Sequence, residues 1–228
     1  MQRIEARSAR EVADAVGSAL AEGRRIAVEG AGTKAGVGCP FEHDLVVCTA
    51  GLVGVTGYEP SELVLTARAG TPLAEVEALL AARGQMLAFE PMDYGPLFGE
   101  PPGRATLGGT IAANVSGPRR IKVGAARDHF LGFEGVSGRG EAFKAGGKVV
   151  KNVTGYDLSK LIAGSWGTLA VLTEVTVKVT PRPPEAVTLL VAGAPDAVAA
   201  RAMGAALSAP SEVTAAAHLP AGVAARAP

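Results

Sequence analysis

Cysteine is scarce in this chain, with two in 228 residues, and aromatic side chains make up only 4% of it. Cys39 and Cys48 flank Pro40, Phe41, Glu42 and His43, a spacing that fits neither a CxxC redox pair nor a four-ligand metal site. Both read as reduced cytoplasmic thiols, and the chain has no cysteine cluster for an iron–sulfur centre of its own. Net charge is also missing: 22 Lys and Arg balance 22 Asp and Glu, so no overall field favours nucleic acid or an anionic membrane. No apolar run reaches the roughly 18 residues that a membrane span needs. Arg3, Glu5, Arg7, Arg10, Glu11 and Asp14 break up the apolar stretch that a secretory signal requires. These absences predict a cytoplasmic protein. His43, His129 and His218 stand alone in sequence, so each is expected to be structural, and no metal site is predicted.

What the chain has in quantity is turn chemistry. Thirty glycines and 15 prolines in 228 residues argue against a helical bundle and for a loop-rich α+β fold. Val12, Ala15, Val16, Ala19 and Leu20 form a stripe at helical spacing, closed by Gly23, and a strand at Ile26 to Val28 follows. Leu45 to Cys48 reads as a strand. Gly54 to Ala69 reads as two strands around Glu59-Pro60-Ser61, and Thr71 as the N-cap of a helix carrying Leu73, Val76, Leu79 and Leu80. Met86 to Phe89 is predicted as a strand, the proline-rich Glu90 to Arg104 as an ordered loop or lid, and Thr106 to Asn114 as a short helix. Short strands are expected from there through Gly146. Asp157 should cap a helix, and Leu169 to Val179 should form a central strand.

The Pro181-Arg182-Pro183-Pro184 run reads as an extended connector. It divides the chain into residues 1–180, with subdomains 1–52 and 53–180, and a short α/β segment, 181–228. That last segment is expected to run strand (Val187 to Val191), helix (Pro195 to Leu207) and strand (Glu212 to Ala217).

Four loops carry the functional signal. Gly30-Ala31-Gly32-Thr33-Lys34, after a strand, offers successive amides and αL-capable glycines suited to an anion nest. A Rossmann loop would have to open a helix, which Gly36, Gly38 and Pro40 forbid, and no Gly-Lys-Ser/Thr completes a Walker loop. On its own the segment reads equally well as a tight surface turn. Gly108-Gly109-Thr110 leads through Asn114 to Ser116-Gly117, and Arg119, Arg120, Lys122 and Arg127 follow as a basic cluster suited to a diphosphate or simply to solvent. Gly146 to Asp157 and Gly164-Ser165-Trp166-Gly167-Thr168 add two more close-approach segments. Together they predict a long ligand with phosphate and planar parts.

These residues resemble the PCMH-type FAD-binding domain of the vanillyl-alcohol oxidase superfamily, and within it the FAD-binding subunits of glycolate oxidases. The resemblance rests on Gly30 to Lys34, Ala105 to Asn114, Ser116-Gly-Pro-Arg-Arg120, Arg127-Asp128, Gly147 to Asp157 and Gly164 to Thr168, within residues 1–180. It implies a fold of two α/β subdomains followed by a short or truncated βαβ unit. It also implies FAD as cofactor, with Gly30 to Lys34 and Gly108 to Thr110 around the diphosphate. Asn114, Ser116, Gly117, Gly167 and Leu172 would border the isoalloxazine or adenosine portions, and Arg119 and Arg120 would meet the diphosphate, a substrate carboxylate or acidic residues. Many superfamily members attach FAD through a histidine in the first glycine loop. Gly30 to Gly38 has none, so non-covalent binding is expected.

The resemblance further implies an oxidoreductase subunit in a complex with a larger flavoprotein and an iron–sulfur subunit. That complex would oxidise glycolate to glyoxylate by proton loss from the hydroxyl and hydride delivery to flavin N5, and pass electrons on to a partner. The alternatives are a non-catalytic subunit with the same fold and a stand-alone FAD-dependent oxidoreductase. No residue is assigned a catalytic role.

Overall fold

A computed structural model describes residues 2–147 and 155–225. Strands β1 (Gln2–Glu5), β2 (Ile26–Glu29) and β3 (Leu45–Cys48) form a parallel sheet in the order β1-β3-β2. Helix α1 (Ala9–Ala21) crosses between β1 and β2. Ser8 begins it, accepting from the Glu11 amide at 3.2 Å, while the Glu11 carboxylate takes the Arg7 amide at 3.0 Å. Its buried stripe, Val12, Ala15, Val16 and Ala19, is the one the periodicity predicts.

The larger sheet is antiparallel, in the order β4 (Val55–Glu59), β5 (Val64–Arg68), β9 (Ala170–Lys178), β7 (Phe130–Ser137) and β8 (Ala142–Gly146). The long strand predicted near Leu169 to Val179 is therefore central. One face carries α2 (Leu73–Ala81) and α3 (Leu107–Ala112), whose Leu73, Val76, Leu80, Leu107 and Ile111 join Phe89, Leu172, Val175 and Val177 in the main core. Across the other face, Val136 and Val171 pack with Val12, Val16, Leu45 and Val47. Residues of β9 thus serve two cores, Val171 one and Leu172, Val175 and Val177 the other.

Several local expectations change. Pro72, not Thr71, is the N-cap of α2, because the buried Thr71 hydroxyl lies 2.7 Å from the Arg68 carbonyl and accepts the Gly54 amide at 3.0 Å. The strand near Met86 shrinks to β6 (Gln85–Met86), paired with β10 (Thr180–Pro181). Between Ser116 and His129 the chain makes two short helices, α4 (Arg120–Val123) and α5 (Ala126–His129), in place of the expected strands.

Beyond β10 the only described helices are α7 (Asp196–Ser208), which has no buried residue, and α8 (Ala221–Ala224). The strands expected at Val187 to Val191 and Glu212 to Ala217 do not form. Val187, Leu189 and Leu190 are about 90% exposed, so they have no neighbours to pair or pack with. Apolar, β-branched composition makes a strand only where a sheet edge receives it. The remaining helix, α6 (Leu158–Ile162), starts at Asp157, whose carboxylate accepts the Lys160 amide as expected. No described helix is long and apolar enough to cross a membrane.

Candidate cofactor site

The described glycine loops gather around α3. At its start, Thr106 caps the Gly109 amide at 3.2 Å, and a Cβ on Gly30 would lie 2.5 Å from the same hydroxyl. A Cβ on Gly109 would lie 2.9 Å from that oxygen and 3.9 Å from Lys34 Nζ. At the other end of α3, the Gly164 amide donates to Ile111 O and the Trp166 amide to Ala112 O. Gly167, at φ +78°, brings that loop against Val28, just before Gly30. The first loop, α3 and the 164–168 loop therefore form one contiguous surface.

The two expected phosphate segments differ in one respect. The amides of Gly30, Ala31, Gly32, Thr33 and Lys34 have no acceptor among the described residues. In the first turn of α3 the donors are all engaged: Leu107 to Thr71 O, Gly108 to Ala69 O, Gly109 to the Thr106 hydroxyl and Thr110 to Thr106 O. Partly buried unpartnered amides are costly, and five in succession, with Gly32 at φ +74°, offer a set of donors to an anion. Gly108 has a packing role instead, since a Cβ there would sit 2.6 Å from the Ala69 Cβ and 2.7 Å from its carbonyl oxygen.

Lys34 supplies the local positive charge. Its ammonium lies 3.4 Å from the Thr33 hydroxyl and 6.0 Å from the centre of the Tyr94 ring. Burial pushes its pKa down, and the charge of Asp93 partly offsets that. An anion in the adjacent amide nest would favour the protonated form. The Glu90 to Arg104 segment packs here as the ordered loop that the sequence predicts. Asp93 ties it together by accepting from Gly95 at 2.9 Å and Gly103 at 2.7 Å, and the Phe98 ring fills the space a Gly36 side chain would need. Sequence reasoning misses Asp93 and Tyr94. The available signal is an aspartate two residues before a glycine, the pattern of a side-chain-capped turn.

The other predicted residues have varied placements. Asn114, at φ +51°, accepts the Arg127 amide at 2.9 Å, and the Ser116 hydroxyl accepts that of Ala126 at 2.9 Å. Gly117 donates to Phe89 O at 2.8 Å, and a Cβ there would meet the Glu90 carbonyl at 2.4 Å. These three hold the turn after α3 in place. Arg119 turns toward Glu90, with Nη1 3.5 Å from its carboxylate. Arg120 is exposed at the start of α4. Leu172 does not reach this surface, because it is buried in the core on β9, opposite Gly135. Residues 148–154, which include all of Lys151-Asn152-Val153-Thr154, lie outside the described residues.

Each of the three histidines has a local contact, and His129 Nδ1 is buried with no partner among the described residues. His43 contacts the Phe41 carbonyl, His218 lies 2.8 Å from Asp196, and His129 is buried between Phe89 and the Val123 carbonyl. No group of three or more metal-ligating side chains occurs among the described residues. Cys39 is exposed, Cys48 is buried, and both are free.

A nest of free amides beside a half-buried lysine, with small residues along the surface that leads away from it, fits a dinucleotide diphosphate. Residues 2–146 match the FAD binding domain family. The chain belongs to that family. The chain is 44% identical over 170 residues to the glycolate oxidase subunit GlcE of Escherichia coli, covering 74% of this chain and 46% of that protein. It is 34% identical over 166 residues to the glycolate oxidase subunit GlcD of Bacillus subtilis, covering 72% of this chain and 34% of that one. The domain thus spans less than half the length of these relatives. Among solved structures, an alkyldihydroxyacetonephosphate synthase superposes with a TM-score of 0.63 at 24% identity, over 80% of this chain and 32% of that one. That likeness supports the two-subdomain α+β fold.

Proposed function

We propose that the chain holds FAD non-covalently as one flavoprotein component of a hetero-oligomeric assembly that oxidises glycolate or a similar 2-hydroxy acid. In this reading the substrate-oxidising step belongs to a partner. The observation that carries it is the run of five unpartnered amides from Gly30 to Lys34. We assign the FAD-binding domain to residues 1–180, with halves 1–52 and 53–180. The small sheet within residues 2–48 and the large one within 55–178 support that division.

The Gly30 to Lys34 amides donate to the diphosphate oxygens, and Lys34 neutralises part of their charge. Gly164, where an added Cβ would have only the Asn114 Cβ within 4 Å, keeps side-chain bulk off the surface beside α3 where flat rings would lie. Bound FAD supplies two-electron redox chemistry. The lack of a histidine from Gly30 to Gly38 favours non-covalent attachment.

Two observations favour a partner as the seat of substrate oxidation. The described histidines have local partners: the Phe41 carbonyl for His43, the Val123 carbonyl for His129 and Asp196 for His218. The relatives named as glycolate oxidase subunits are also more than twice the length that this chain matches. The second reading, in which the chain itself oxidises the acid, is separated by activity measurements.

The purified chain should be yellow, and acid precipitation should release its FAD into the supernatant. Glycolate turnover with an artificial acceptor should require the larger flavoprotein and iron–sulfur partners. A folded, colourless protein that refuses added FAD would refute the cofactor reading. Turnover by the isolated chain would favour the second reading.

A further inference from the structure

Lys34 is a half-buried cation that lacks the partner such a group normally takes. Among the described residues it forms no ion pair: its ammonium meets the Thr33 hydroxyl at 3.4 Å and lies over the Tyr94 ring, 6.0 Å from the centroid. The carboxylate that acts on it is Asp93, one residue before Tyr94. Both Asp93 oxygens are already taken, Oδ1 by the Gly95 amide at 2.9 Å and Oδ2 by the Gly103 amide at 2.7 Å.

The loop that presents these two residues is braced at several points. The Glu100 amide donates to Gly95 O at 2.9 Å across a single 3₁₀ turn at Gly95–Phe98, and Arg104 pairs with Glu100. A Cβ on Gly36 would come within 2.7 Å of the Phe98 ring, so the loop also packs against the chain just after Lys34. Asp93 joins the start of this loop to its end. On the α2 side, Glu77 feels the Asp93 charge, while the α3 residue nearest the Lys34 ammonium, Gly109, is uncharged. Asp93 is therefore the charged group that acts on Lys34 from the elements packed around it.

This arrangement leaves the ammonium charged and its donors uncommitted. A carboxylate bonded directly to Lys34 would occupy those N–H groups and compete with any anion arriving at the neighbouring amides. An aromatic face attracts a cation without that competition, and a carboxylate already holding two amides supplies negative charge without bonding the ammonium. Burial works against the charged form of Lys34, and Asp93 works for it. We propose that Asp93 and Tyr94 are positioning residues for Lys34, through which the 90–104 loop holds the Lys34 ammonium beside the Gly30–Lys34 amides with its donors free for a diphosphate. This rests on the reading of those amides as an anion nest.

The test reads Lys34 separately from the flavin. In the full chain, the rate of acetic anhydride labelling at Lys34, followed by peptide mass spectrometry as pH is raised, gives the midpoint at which its amine loses the proton. Titrations with inorganic pyrophosphate, and then with FAD, give the affinity of the nest. In Asp93→Asn the Lys34 midpoint should fall by about half a pH unit or more, and the alkaline loss of pyrophosphate binding should move down with it. A merely structural role for Asp93 has the opposite sign, because a loosened loop admits water to the ammonium and raises the midpoint. Tyr94→Leu leaves the Asp93 turn in place and should weaken pyrophosphate binding by roughly two- to fivefold, and Tyr94→Phe, which keeps the ring, should recover most of that loss. A chain that shows these changes but takes up no FAD would support the positioning of Lys34 and refute the flavin reading. A midpoint that rises or stays in place in Asp93→Asn, equal pyrophosphate affinity in Tyr94→Leu and wild type, or no pyrophosphate binding by the wild type at millimolar concentration would overturn the proposal.

Discussion

The Gly30 to Lys34 loop and the first turn of α3 look interchangeable on paper: each has paired glycines next to a threonine. In the fold they are opposites. The loop leaves its amides without an acceptor among the described residues and ends on a half-buried lysine. The helical turn uses its amides on Thr71, Ala69 and Thr106, and its Gly108 is a contact point between α3 and the chain after β5. A glycine-rich motif therefore does not reveal whether its glycines serve a ligand or a packing contact. The hydrogen-bond accounting does.

The largest expected effect comes from breaking the packing glycine. Gly108→Val drives a side chain into the Ala69 backbone and should cost about 3 kcal/mol or more of stability. The thermal midpoint should fall steeply whether or not FAD is present. Gly32→Val is the contrasting change. A Cβ there meets nothing within 4 Å, but φ is +74°, so the backbone must carry a strain of about 1–2 kcal/mol or rearrange. Its main effect should be on the nest: FAD affinity should drop by more than tenfold by titration, with a smaller loss of thermal stability than in Gly108→Val. Equal thermal losses in the two variants would erase the distinction between the two regions.

Lys34→Gln should have an intermediate effect on binding and little on folding, because removing a partly desolvated charge relieves a cost in the free protein. FAD affinity should fall by roughly tenfold, the value of one charge-assisted contact. The wild-type affinity should also weaken as pH is raised toward the depressed Lys34 pKa, where the ammonium loses its proton. The Lys34→Gln variant should lack that alkaline loss.

How much of this is legible in the sequence follows from how local each signal is. The stripe of α1, the Asp157 cap, the hairpin around Pro60 and the central strand β9 all follow from periodicity or turn chemistry within a few residues. Thr71 misleads because its best partners, Arg68 and Gly54, lie on the preceding chain rather than in the helix it precedes. The Val187 to Val191 run misleads because a strand needs a neighbour, which composition does not supply. At the site, sequence pattern finds the loops but not their division of labour, since whether an amide is free depends on Ala69 and Thr71, residues distant in sequence from Gly108. Leu172 is drawn into the site by its nearness to a glycine loop, although β9 places it in the core.

The smallest expected effect is on pH dependence away from the nest. His129 is buried, and desolvation pushes its pKa below the usual value of about 6.5. The unfolded chain therefore takes up a proton first as pH falls. Stability from the neutral buried ring is complete above about pH 6.5 and is lost below it, by up to about 1.4 kcal/mol per pH unit, until the folded-state pKa is passed. Chemical denaturation between pH 7.5 and 5 should display this slope, and His129→Gln should flatten it.

Residue-resolved amide hydrogen exchange, with and without FAD, tests the central claim most directly. The account predicts fast exchange at Gly30 to Lys34 in the free protein and strong protection there once FAD is added, with Leu107 to Thr110 protected in both states. Gly30 to Lys34 amides that stay unprotected at saturating FAD, while those of α3 gain protection, would contradict it.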